Sequence, residues 1–433
     1  MKKIITVIYT LSFVIGAVSA QSVYDGVKIA DKDLNGTARF VGMGGAMGAL
    51  GGDITTMGTN PAGIGIYRSN DVMTSFSYSA YGMESKYEGQ KSTIDKNRWS
   101  FDNIGVVFAT KIGNQTPLRY VNFGFNYKRS KSFYKNMSMS GMMGVVENPS
   151  NPGSPYYVSQ TNSMALQATD AERYVWDNSR QHLDFDNANR IFSDPDAGWL
   201  GALGYQGGLT ERDRIDNEPD LYVPFLPVEP SSVFNSREKG GIDQYDFNVS
   251  FNINDRVYLG LTIGAYDVDY DKYSGYDESY KRGEGYSLES YNNISGSGFD
   301  VKMGLILRPF EYSPFRIGFA VHTPTFYKLT YSTSAIVTND YRDAKTDELK
   351  RIIVDTYDYV GDMKRDYRLV TPWKYNVSLG YTVGTSLALG AEYEYEDYST
   401  MKFKYSSNDG GGDMEFENAE VKNCLKGEHT FRI

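Results

Sequence analysis

The sequence predicts an all-β fold, a transmembrane antiparallel β-barrel whose N-terminal segment is folded inside it as a plug. Three observations carry that reading. Alternating runs recur along the chain, with apolar or aromatic residues at every second position and small, amide or charged residues between them. Short turns alternate with long polar connections. A leader-like stretch and a glycine-rich stretch precede the first run. A strand points successive side chains to opposite faces, so alternation means one apolar and one polar face. A membrane barrel combines that pattern with short turns at one rim and long loops at the other. A secreted β-sandwich or propeller also alternates, with its apolar face inward. Nothing in those folds demands that short and long connections alternate.

Bulk properties agree. The chain has 433 residues, ample for a sizeable core, with 36 Tyr and 44 Gly. Tyr and Phe suit pleated surfaces and membrane-interface belts. A mean hydropathy of -0.46 excludes a helical membrane protein. It does not exclude a barrel, where only alternate residues meet lipid. The net charge of -10 and the absence of a Lys/Arg block argue against a nucleic-acid partner. Cys424 is the single cysteine, so no intrachain disulfide or thiolate metal cluster forms.

Lys2 and Lys3 open a basic region, Ile4–Val18 is mostly apolar, and Val18 and Ala20 are small residues placed for cleavage before Gln21. Residues 1–20 therefore read as a secretory signal peptide. The alternative is an uncleaved anchor helix, but the apolar run falls short of the roughly 20 residues a span needs. Residues 21–70 are expected to form the plug. Within them Gly42-x-Gly44 is followed by Met47 where a dinucleotide fingerprint needs its third glycine, and no buried strand precedes it. Close packing against a curved wall is the better account of the glycines. Asn60-Pro61-Ala62-Gly63 is a turn signal, expected to lead the plug into the first strand and to act as its gate.

The strands begin at Val72, Thr74, Phe76 and Tyr78, and Trp99–Lys111 is the second run. In the third, Val121, Phe123, Phe125 and Tyr127 oppose Asn122, Gly124, Asn126 and Lys128. A long extracellular loop is expected over residues 131–240, with a helix somewhere in Ser163–Phe192. From Ile242 the alternation is regular: 242–253, 257–266, 299–307, 315–322, 375–383 and 387–395. Glu84–Arg98 and Asp271–Ser295 read as polar loops, and GNQTPL, NIND, PFEYSP and TVGTS as short turns. These nine runs and a tenth beginning at Gly427–Ile433 place the barrel at 71–433. A barrel closes with an even number of strands of about 9–11 residues. The last run is too short to span, so the expectation is a barrel incomplete at its C-terminus; the alternative is ten strands with a stunted last one.

The segment GMGGAMGALGGDITTMGTNPAGIGIYRSNDV, with Asn60-Pro61-Ala62-Gly63 just before the first strand, resembles the N-terminal plug of the long-chain fatty acid (FadL-type) outer-membrane transporter family. The resemblance extends over Gln21–Ile433. It implies a barrel of about fourteen strands, so about ten present here, with the lumen blocked by an N-terminal hatch. It implies passive uptake of long-chain fatty acids or hydrocarbons, caught in an extracellular groove, passed to an inner pocket and released sideways through the wall. It also implies the outer membrane of a Gram-negative bacterium, contact with outer-membrane lipid, and insertion by the barrel-assembly machinery.

Candidate ligand contacts lie in the long loop, where Phe192, Trp199, Leu200, Leu203, Tyr205, Phe225 and Leu226 cluster. An extracellular loop holds such residues either as a small core of its own or as a groove for an apolar ligand. The expected partner is a hydrophobic small molecule, with no cofactor and no metal. His182, His322 and His429 are far apart in sequence; a haem-binding receptor using His182 or His322 as axial ligand is one alternative function. A surface adhesin that transports nothing is another. The acidic runs Asp267–Asp271 and Glu392–Asp397 lack the spacing of a Ca²⁺ loop. No GxSxG or comparable nucleophile motif occurs, so the chain is not expected to be an enzyme.

Overall fold

The computed structural model describes residues 23–146, 156–194, 196–225, 230–384 and 386–433. The leader lies outside the described residues. Ten strand paths form one antiparallel sheet. The hairpin β1 (Asp71–Tyr87) and β2 (Gln90–Lys111) comes first. β3 (Leu118–Ser132) follows and is continued by β4 (Lys135–Met142). The two-residue pair β5 (Val145–Val146) and β6 (Tyr156–Tyr157), and the hairpin β7 (Thr210–Asp213) and β8 (Leu221–Pro224), belong to the long loop. β9 (Ser231–Ile253), β10 (Val257–Ser279) and β11 (Gly285–Leu307) form the longest ladders. β12 (Arg316–His322) with β13 (Phe326–Arg342) is the next path, and β14 (Leu349–Asp355) folds back on β13. β15 (Met363–Val370) with β16 (Lys374–Val383), then β17 (Leu387–Asp397) with β18 (Lys402–Tyr405), complete the wall as far as β19 (Gly427–Arg432).

Every alternating run falls in a strand. Two expected loops do not survive. Glu84–Arg98 is ladder almost throughout, closing at Tyr87↔Gln90 around Glu88 (φ 44) and Gly89 (φ 79). These left-handed positions suit a tight hairpin turn. Likewise β10 and β11 stay paired to Ser279↔Gly285, across most of what reads as a polar loop. Beyond the apolar band both faces can be polar, so the strand continues while its alternation signal fades. The long loop accordingly spans residues 143–230. Its expected helix is present at Gln160–Ser179, with a short turn of helix at Ala188–Ile191.

The outward face is apolar. On β10 Leu259, Leu261 and Ile263 are exposed, while Tyr258, Thr262 and Tyr266 are buried on the inner face. Val257 to Ala265 extends roughly 20 Å along the barrel axis at ordinary strand rise and tilt, close to the ~25 Å apolar band of an outer-membrane barrel. Aromatic rings cross four strands at one level: Tyr78–Trp99 on β1 and β2, Phe101–Tyr127 at 5.6 Å, and Tyr127–Tyr245 at 5.4 Å. No described helix is long and apolar enough to cross a membrane.

Residues 23–67 lie against the inner face of the curled sheet. Ser75 on β1 donates to the Gly36 carbonyl, and Asn35 donates to Asp102 on β2. Contacts continue through Asn122 on β3, Ser250 on β9, Arg316 on β12 and Glu392 on β17. A Cβ on Gly45 would meet the Arg432 side chain of β19 at 3.3 Å. Strands from both edges therefore touch this one segment, which requires the sheet to wrap it. Among the described residues β1 pairs only with β2, and β19 only with β17.

Candidate functional site

The inner face of β10 passes through successive layers. Gly260 abuts the Asn60–Gly63 turn, and a Cβ there would land on the Pro61 backbone. Asn60 is fully buried and caps the 3-10 turn Pro61–Ile66, accepting from Ala62 N at 3.2 Å. Its amide donates to Gly48 O at 2.7 Å and to Leu305 O of the wall at 3.4 Å. Pro61 O accepts from Ser250 Oγ at 2.8 Å. Asn122 donates to Ile64 O at 2.7 Å and Tyr67 O at 2.9 Å. His322 Nε2 donates to Thr59 O at 2.6 Å. The expected gate residues are thus tied to β9 and β11, and the residues flanking them to β3 and β12. His322 is buried and its Nε2 is already bonded, so it offers no axial ligand in this state.

Above the turn is a charged layer. Lys302, with no exposure, contacts Asp246 at 3.0 Å and Asp300 at 2.8 Å. Tyr266 donates to Asp300 at 2.7 Å. Across the interior Arg432 pairs with Glu392 at 2.9 Å and Glu394 at 3.0 Å, and Lys374 with Glu394 at 3.2 Å and with Glu396. Buried charges are tolerated only when paired in this way. The acidic run at 392–396 is this inward set. Asp267 and Asp269 in the other run instead point outward, exposed.

The next layer is apolar, which the sequence reading missed. Tyr266, Val268 and Tyr270 of β10, Ile294 of β11, and Tyr327 and Leu329 of β13 belong to one buried cluster. Tyr367 and Leu369 of β15 and Phe403 of β18 belong to it as well. Val23, Ile29 and Ala30 of the helix Val23–Ala30 fill its middle. The fit is close: a Cβ on Gly26 would approach the Phe403 ring to 2.5 Å. Two hydroxyls inside, Tyr327 and Tyr367, have no hydrogen-bond partner among the described residues. Lys28 at the edge of the helix donates to Tyr270 at 2.7 Å and pairs with Glu238 at 3.0 Å. A signal was present in the sequence. Along VYLGLTIGAYDVDY the apolar positions are odd-numbered up to Ala265, then even-numbered from Tyr266 to Tyr270. That switch marks where apolar residues turn from lipid to interior.

Topmost is the long loop. The helix Gln160–Ser179, capped by Ser159, packs on the helix Trp199–Gln206. Gly201 and Gly204 allow close approach to Ala168 and Met164. Phe192, Trp199, Leu200 and Leu203 are buried in the loop's own core, together with Phe185, Tyr222 and wall residues such as Val337. Trp199 Nε1 donates to Phe192 O at 3.0 Å. Tyr205 lies at the edge of this core and donates to Asp186 at 2.7 Å. Phe225 stands apart, about half exposed, and Leu226 lies outside the described residues. Mutual packing accounts for the four buried residues. Glu278, 2% exposed, holds the loop to the wall. It accepts from Ser159 Oγ, Gln160 N, and the hydroxyls of Tyr276, Tyr280 and Tyr286, all within 3.0 Å. Burial first, and Glu278 second, push all three tyrosine hydroxyls above their ordinary range.

No family model and no curated protein matches the chain. Among solved structures it is similar to the Ralstonia pickettii toluene transporter TbuX, at 12% identity and a TM-score of 0.34 over 88% of this chain and 78% of that one. It is also similar to a Pseudomonas aeruginosa FadL homologue, at 10% identity and a TM-score of 0.28 over 93% of this chain and 96% of that one. Superposition at that level is too loose to transfer a residue or a substrate.

Proposed function

We propose that this chain is an outer-membrane transporter of the FadL type, passing hydrophobic small molecules through a barrel plugged by residues 21–70. The observation that carries the proposal is the buried apolar cluster inside the wall, occupied by the helix Val23–Ala30. With the leader removed before Gln21, that helix is a free end and can withdraw without threading. Val23 and Ile29 together gain roughly 3–6 kcal/mol from burial, and each buried methylene about 0.8 kcal/mol. A ligand offering about four to eight methylenes therefore offsets the helix's loss. That favours long acyl chains over small aromatics. The unpartnered Tyr327 and Tyr367 hydroxyls suit the polar head of such a chain. Capture falls to the loop around Tyr205 and Phe225, and release requires the Asn60–Gly63 turn to leave the wall.

The test is uptake of radiolabelled oleate by cells with and without the protein, with a variant lacking residues 23–30. The expected outcome is faster uptake with the protein and tighter oleate binding by the purified variant. Equal uptake by both cells would sink the proposal.

A further inference from the structure

Away from that path, two buried carboxylates and an imidazole meet on the long loop. Glu172 lies in the helix Gln160–Ser179, His182 just after its left-handed C-cap Arg180, and Asp220 immediately before β8. His182 Nδ1 is 2.5 Å from Glu172 Oε1 and 3.7 Å from Asp220 Oδ2. The ligand atoms all lie within 4.8 Å of one another. Glu172 is fully buried and Asp220 is 5% exposed. The second Glu172 oxygen accepts from Leu183 N at 3.0 Å, which fixes the carboxylate and aims Oε1 at the imidazole. Asp220 accepts no hydrogen bond among the described residues; besides His182 its neighbour is Arg212 Nε at 3.8 Å. Arg212 Nη2 meets Asp186 at 2.5 Å, which leaves Nε facing Asp220 at ion-pair rather than hydrogen-bond distance. A buried carboxylate without a hydrogen bond is unfavourable unless a cation completes its surroundings.

We propose that Glu172, His182 and Asp220 form a divalent-cation site of the class that Zn²⁺ fills, clipping the loop's long helix to its β7–β8 hairpin. One nitrogen and two oxygens at about 2.0–2.2 Å from a tetrahedral ion sit about 3.3 Å apart. The 2.5 and 3.7 Å separations bracket that value and the two carboxylate oxygens lie within 4.8 Å of each other, so the three ligands close on an ion by side-chain rotation. The ion takes the place of the hydrogen shared by Nδ1 and Oε1 and gives Asp220 a closer partner than the guanidinium at 3.8 Å. Two carboxylates neutralise its charge, and the fourth position opens to solvent beside the half-exposed imidazole. The backbone N–H on Glu172 is the kind of outer support that orients a metal ligand. A nitrogen donor in a three-residue set fits Zn²⁺ better than Ca²⁺, which takes six to eight oxygens.

The test uses the full chain in detergent, stripped with a chelator and titrated with Zn²⁺. Bound metal is counted by atomic emission, and tryptic cleavage of the loop is followed. The Trp176 ring, 4.7 Å from the His182 ring, gives a fluorescence signal. One Zn²⁺ per chain is expected, with a fluorescence change and slower cleavage. His182→Ala and Asp220→Asn should each weaken binding about tenfold or more. His182 is partly exposed, so its variant keeps the fold, checked by heat-modifiable migration. Equal Zn²⁺ in wild type and His182→Ala would overturn the site. Binding without slower cleavage would overturn the clip, and equal protection by Ca²⁺ would overturn the ion class.

Discussion

Asn60 does three things with one amide. It caps a turn, holds Gly48 and reaches the Leu305 carbonyl of the wall. Asn60→Ala removes the cap and both amide donations, a loss of about 1–3 kcal/mol. The expected outcome is a lower unfolding temperature in detergent and more frequent opening events in planar-bilayer recordings. Gly260 tests the same contact from the other side. A Cβ there lands on the Pro61 backbone, so Gly260→Val forces the turn off the wall at roughly 1–3 kcal/mol. The check is protease sensitivity of residues 36–67, which should rise while Gly412→Ala, whose Cβ meets nothing within 4 Å, leaves it unchanged. Both contacts were half legible in the sequence. The Asn-Pro-Ala-Gly turn and the inward parity of Gly260 and Gly304 could be read, but which glycine meets which carbonyl depends on strands far apart in the chain.

At the scale of elements, Glu278 joins the loop's helix to β10 and β11. Its carboxylate meets the N-terminus of that helix, where negative charge is favoured, while three tyrosines donate to it. Glu278→Gln keeps the shape but removes the charge that each donor meets, so the loop should be cut faster by protease with the barrel intact. The pH dependence has a definite sign. Tyr276, Tyr280 and Tyr286 have folded-state values raised above 10.0, so their contribution is complete below about pH 10 and lost as pH rises further. Proteolysis at pH 8 and pH 11 should show loop loosening only at the higher value. The element boundaries divide along the same line. Runs such as 257–266 were visible because lipid demands apolar residues at alternate positions. The outer halves of β1, β2, β10 and β11 were not, because water accepts either kind of residue there. The loop's two-helix core was legible only as composition, since Trp199 and Phe192 give no sign of whether they meet each other or a ligand.

For the whole molecule, the apolar band is the external constraint. Ile263 is exposed near the middle of β10's outward face. Ile263→Arg is expected to weaken insertion into lipid vesicles by about 2–4 kcal/mol, measured by folding titration. The same band explains the change of parity at Tyr266. Below it the strands put apolar residues toward lipid and polar ones toward the N-terminal segment; above it they put apolar residues inward around Val23–Ala30. The interior is therefore layered: a hydrogen-bonded turn, paired charges, an apolar pocket, then the loop.

Taken alone, the amino-acid sequence determined the class of architecture, the strand order and the face of nearly every residue in the apolar band. Those follow from a period of two imposed by a sheet between lipid and a polar interior, and a local period survives in any reading frame. Only the tertiary structure decided what the interior contains. The pairing of Lys302 with Asp246 and Asp300, the helix set among Tyr270, Leu329 and Phe403, and the meeting of Glu172, His182 and Asp220 all join positions that chain distance keeps apart. Such contacts are fixed by how the sheet curls and where the loop returns to its rim, and no periodicity encodes them.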